Sequence, residues 1–274
     1  MTASTITATQ PLPRRQARTD ALLGLRPLLR KDLSEWAHGP RAWIVLVVTA
    51  AFMALTAANS WINTWLIANL PSDAVVSHGP ISMAPLDNVS AAVGTQIFVI
   101  AAIFASMSLL VTERENGALA WLASKPVARG AIWMSKALAA ASILWLVAAI
   151  LPLAIVGVVV TILYGIPAIV PMVGLAIGAG AAIAFFVAVV LTASTFVSSQ
   201  PAVAAIGLAV MFLPTIVAGI LPVDIAPFLP TSIASWAGGL AMGADVGFAT
   251  PIAWALSMVA LALIAIRRMD GLEL

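Results

Sequence analysis

The sequence predicts an all-helical integral membrane protein with six transmembrane helices, preceded by an amphipathic helix at the membrane surface. Three observations carry this. Of 274 residues, 62% are hydrophobic and only 9% charged, whereas a soluble domain is about 45–50% apolar and ~25% charged. Six apolar runs are long enough to cross a bilayer core, which takes about 20 residues each. All 13 lysines and arginines fall in segments that an even number of crossings places on one side. A soluble fold has too little interior to hide this much apolar surface, so lipid must solvate much of it.

The polar, proline-dotted residues 1–19 are expected to form a disordered cytoplasmic leader. Residues 20–41 follow as an amphipathic elbow helix: Leu22, Leu25, Leu29, Leu33 and Trp36 recur at helical spacing, with Arg30, Lys31 and Glu35 off that stripe. Pro27 suits a first helical turn. Gly39-Pro40 then turns the chain into the bilayer. The six-helix domain occupies residues 42–274, with spans at about 42–61, 92–111, 137–164, 172–197, 202–221 and 249–266. None of these spans contains Asp, Glu, Lys or Arg. Pro152 and Gly157 predict a kink in the long third span. The segment before the last span is rich in Pro and Gly. Its apolar stretch at 232–242 is too short to cross and is expected to be a re-entrant or interfacial helix.

Orientation follows from the cations. Seven precede span one. Arg114, Lys125, Arg129 and Lys136 lie between spans two and three, and Arg267 and Arg268 follow span six. The positive-inside rule makes that side the cytoplasm, with both termini on it, in a cell (plasma or inner) membrane. The basic pI of about 9.5 therefore reflects charge beside membrane spans, and no nucleic acid partner is expected.

The chemistry available is narrow. Without cysteine there is no disulfide and no thiolate metal site. His38 and His78 lie on opposite sides of span one, so they cannot share a metal. No phosphate-cradling loop ends in Lys-Ser/Thr, and no protease or hydrolase motif is present, so no enzymatic activity is expected of the chain. Ion-coupled carriers place ionisable groups within the membrane, and these spans hold none. A solute moved uphill would take its energy from another subunit. Asn59, Asn63, Gln96, Thr192 and Thr195 are candidates for lining such a path, with interhelical hydrogen bonding the plainer reading.

The most informative segment is the second loop, Glu113 to Lys136. Its residues suggest a short helix ended by Lys125-Pro126, with charge at Glu113, Arg114 and Glu115. Leu119 and Leu122, three apart, offer a face for a protein partner. The segment resembles the ABC-2 type permeases, in which a run close to E-R-E-x-G-T-L, then P-V-S-R and a later lysine, follows span two. Glu113, Arg114, Glu115, Gly117, Leu119, Pro126, Val127, Arg129 and Lys136 match, and Ala118 and Ala128 depart from the pattern.

The resemblance implies a loop that couples to an ATPase through Glu113, Arg114, Glu115, Gly117, Leu119, Leu122, Pro126 and Arg129. Leu29, Leu33 and Trp36 would mark the elbow helix. It further implies a dimer with a second permease copy or a homologous one, and two ABC ATPase subunits that hold the ATP and Mg. The chain itself would carry no cofactor. The expected role is the permease subunit of an ABC transporter, exporting a hydrophobic or amphipathic substrate such as a drug, lipid or peptide. A membrane-embedded scaffold or sensor, and a passive channel, are the alternatives.

Overall fold

A computed structural model describes residues 23–69, 97–125, 127–165, 169–218, 229, 232–241, 244 and 246–270. The leader at 1–19, Leu22, Gln96, Pro126 and most of the outer segment before residue 232 lie outside the described residues. The described residues form helices joined by short turns, without strands among them.

Helix α1, Leu25–His38, is followed directly by α2, Pro40–Asn69, the break falling at Gly39. Helix α3, Ile97–Ser106, runs through a turn into α4, Val111–Glu115, and then α5, Ala118–Ala123. Next come α6, Arg129–Leu144, a π-helical segment, Trp145–Ile150, and α7, Leu151–Tyr164, as one continuous rod. The remaining elements are α8, Ile169–Phe196, α9, Gln200–Ala218, α10, Ile233–Ala241, and α11, Ala249–Asp270.

Five helical stretches are long and apolar enough to cross a membrane: 40–59, 97–115, 129–164, 172–196 and 249–269. A sixth apolar stretch, Gln200–Pro214, is shorter. The chain is thus a multi-pass helical membrane protein.

Helix α8 is the hub. It is apolar on every side, the pattern of a helix enclosed by others, and α3, α6, α9, α10 and α11 all pack on it. Outward faces are equally apolar: Ile252, Leu256, Val259 and Leu263 of α11, and Trp43, Val47 and Leu55 of α2, are exposed. Such faces suit lipid.

Close approach and hydrogen bonds to backbone, rather than ion pairs, join the middle of the bundle. A Cβ on Gly180 would stand 2.5 Å from Nε1 of Trp145, so only glycine lets the indole lie against α8, where it donates to the Ala176 carbonyl at 2.8 Å. Proline 152 cannot donate a backbone hydrogen bond and its ring crowds the preceding turn. The π-helical turn widens the rod just before it, where sequence alone suggested a kink. Thr49 of α2 donates to the Val147 carbonyl in this widened turn at 3.4 Å. Tyr164, the one tyrosine, inserts its hydroxyl between Trp61 N–H (2.8 Å) and the Ala57 carbonyl (3.3 Å), bridging one rung of the α2 ladder.

Candidate functional site

The second loop is built into one end of the bundle. Backbone bonds from Thr112 to Ser108 and from Arg114 to Leu110 keep helical spacing from α3 into α4. Gly117 then adopts φ +70°, a left-handed conformation that side-chain-bearing residues resist. Its N–H closes on the Arg114 carbonyl, and its own carbonyl accepts from Trp121 N–H to start α5. The chain returns past Ala128, whose N–H donates to the Leu23 carbonyl at 3.1 Å. The loop is thereby strapped to the start of α1.

Two arginines of the loop cap other helices. Arg114 Nη2 donates to the Thr195 carbonyl at 3.4 Å, at the end of α8, and Arg129 Nη1 donates to the Met269 carbonyl at 2.9 Å, at the end of α11. Terminal carbonyls lack intrahelical donors and carry the negative end of the helix dipole, so arginine suits both places. Gln200 Nε2, at the start of α9, donates to Thr112 Oγ1 at 3.3 Å. The ends of α4, α8 and α11 and the start of α9 therefore meet at one end of the bundle.

Beneath the loop lies a knot of four charges. Lys136 Nζ, two turns into the third rod and only 6% exposed, stands 2.7 Å from Glu113 Oε1 and 3.7 Å from Asp32 Oδ1. Lys31, at the rim, lies 3.6 Å from Glu113. Ser135 Oγ donates to Asp32 Oδ2 at 2.8 Å. Two carboxylates and two ammoniums make the knot formally neutral, which is what burial demands. Glu113 Oε2 is buried without a partner. A cavity of about 270 Å³ adjoins it, lined also by Glu35, Arg41 and Thr112. The knot joins α1, α4 and α6, three elements that nothing in the local sequence connects.

Several expectations change here. Leu119 and Leu122 do not face outward: both are buried in the chain's own core, Leu119 at 2% exposure. The outward face of α5 is Trp121, 61% exposed, with the Lys125 ammonium 3.4 Å from its ring centroid. The buried face of α1 is Leu28, Asp32 and Trp36, one turn apart, while Leu25, Leu29 and Leu33 pack only partly. The helix lies along α6, and this tertiary contact rotates the face away from the stripe that leucines alone suggested.

Thr192 and Thr195 line no open path within the chain. Both are buried, their hydroxyls bonded to the carbonyls of Leu261 and Thr192. Asn59 is exposed, and the side chain of Asn63, with Gln96, falls outside the described residues. Gly117, Arg114 and Arg129 hold the loop as described, while Glu115 is exposed. Sequence reasoning missed Asp32 and gave Lys136 no role. The signal for Asp32 was its place midway between Leu28 and Trp36, at i±4 on one face.

Among the described residues, no group of three or more His, Asp and Glu is placed to hold a metal. The fold and site define a class: a multi-pass helical membrane protein whose charged loop is anchored at one end of the bundle. The family described as ABC-2 family transporter protein matches residues 26–237, and the chain belongs to that family, with an ABC permease role. Membership implies partnership with ABC ATPase subunits. No individual curated protein matches the chain.

Proposed function

We propose that the chain is the membrane-spanning permease subunit of an ATP-driven exporter for hydrophobic or amphipathic solutes. The observation that supports this best is the mounting of α5. Glu113 and Arg114 tie α4, which leads into α5, to α1, α6 and α8, and Leu119 and Leu122 are buried in the core, while Trp121 and Lys125 are exposed. A rigid projection with an exposed aromatic and a cation suits a protein partner. Movement imposed there would pass through Glu113 and Lys136 to the third rod, and through Asp32 to α1. The partner engages Trp121 and Lys125; the two leucines hold the loop.

The same reading gives six crossings. Helix α9 starts beside Thr112 and α11 ends beside Arg129, at the same end of the bundle. Trp254, near the start of α11, bonds to Ala181 in the middle of α8. Residues 200–248 then have to carry the chain to the far end, with α10 packed on α8 as the short helix before the last span. The cation-rich end is cytoplasmic, α1 rests at the membrane surface, and a second permease copy completes the path above two ATPase subunits.

The test uses inverted membrane vesicles that contain this chain and its partner ATPase, with a fluorescent lipophilic cation as cargo. ATP should drive uptake, and a non-hydrolysable analogue should not. Uptake that proceeds equally without ATP would instead indicate a passive channel.

A further inference from the structure

We infer that the groove between α2 and α3 is a binding site for an anionic phospholipid of the cytoplasmic leaflet, with its headgroup on Arg41. The groove encloses about 520 Å³, within the roughly 300–1,000 Å³ of ligand pockets. It is amphipathic from end to end. Ile44 and Val48 form one wall, Ile97, Ile100 and Phe104 the other, and at one end stand Arg41, Ser108, Thr112 and Gln200.

Length fits one leaflet. From Ile97 to Ser108 the wall rises about 16 Å at ~1.5 Å per residue, close to half of a hydrocarbon core about 30 Å thick. An acyl chain laid against it therefore ends where the polar residues begin.

Charge fits an anion. Arg41 is exposed and has no ion pair or hydrogen bond among the described residues, unlike Lys31, Lys136 and Arg114. Guanidinium matches the geometry of a phosphate. Thr112 Oγ1 accepts from Gln200, which leaves its own proton to donate. A second copy of this chain docked face to face on the groove would instead bring Arg41 toward Arg41, against like-charge repulsion.

The inference rests on the proposed orientation but needs no ATPase partner, and lipid retention is read without either. The experiment is native mass spectrometry of the full chain in detergent with equal phosphatidylglycerol and phosphatidylcholine. Both lipids offer a phosphate to Arg41, but phosphatidylcholine also carries a quaternary ammonium that the guanidinium repels, so the wild type should retain phosphatidylglycerol about tenfold over phosphatidylcholine. Arg41→Gln should bring that preference to near unity. Val48→Trp, which fills the groove from an exposed position, should lower retention of both lipids. Millimolar inorganic phosphate should not displace the lipid.

No preference in the wild type overturns the inference whatever the variants do. So does an unchanged preference in Arg41→Gln. Displacement by phosphate alone would make this a free-anion site. Loss of a second copy, rather than of lipid, in Val48→Trp would make it a protein contact.

Discussion

The middle and one end of the third rod are held by opposite chemistry. Around Trp145 and Gly180 nothing is charged, and contact depends on glycine letting an indole approach α8. Two and a half turns earlier, Lys136 is buried among two carboxylates and a serine. The difference follows from the solvent. Lipid is as apolar as leucine, so helices in the bilayer gain little by hiding apolar surface and rely on close packing. At the charged end of the bundle, burying an ion requires a full set of partners. The middle of the bundle is thus held by shape, while the charged end holds three elements together by paired charge.

Breaking the knot should have the largest effect. Lys136→Ala leaves Asp32 and Glu113 facing only Lys31 at the exposed rim, at a cost of up to about 3–5 kcal/mol. Thermal unfolding of the purified chain should show a large loss, and yield should fall. A Lys136→Met chain that also carries Asp32→Asn and Glu113→Gln should recover most of it, because neutral groups need no counter-charge. Failure of that rescue would mean that shape, and not charge, fixes this end.

Truncating the inward face of α5 comes next. Leu119→Ala should cost about 3 kcal/mol, since it opens a cavity in a packed core. In the apolar middle, Gly180→Ala should cost about 1–3 kcal/mol by forcing Trp145 aside. The same change beside Trp145→Leu should cost less, and a double-mutant cycle on thermal stability reads that coupling. Equal losses in the two backgrounds would break the claim that close approach at Trp145 governs this region.

Much of this architecture is legible in the residues. Long uncharged runs and one-sided cations suffice for a multi-pass helical protein, because lipid leaves few alternatives. The loop from Glu113 to Lys136 stands out by its pattern, and Gly117 sits where a left-handed turn is needed. What escapes is tertiary. Helical spacing in α1 points to Leu25, Leu29, Leu33 and Trp36, yet packing along α6 buries Trp36 together with Leu28 and Asp32. An aspartate on an apolar face looks like an exception until Lys136, about a hundred residues later, arrives beside it. Leu119 and Leu122 share a face, and only the fold shows that this face is the inner one. Thr192 and Thr195 are open by position to path lining or, more plainly, to hydrogen bonding between helices; the Thr192 hydroxyl bonds across to Leu261 of α11 and the Thr195 hydroxyl bonds within α8.

The smallest effect on stability, and the largest on assembly, is expected at Trp121. It is exposed and its neighbours are anchored without it, so Trp121→Ala should change stability by no more than about 0.5 kcal/mol. The decisive measurement is affinity purification of the full chain from its native membrane, wild type beside Trp121→Ala, with the associated polypeptides identified by mass spectrometry. The wild type should bring down a P-loop ATPase, and Trp121→Ala should bring down at least tenfold less at equal expression and unchanged thermal stability. A wild-type chain that purifies with no ATPase, or a Trp121→Ala chain that retains it in full, would contradict docking through the outer face of α5.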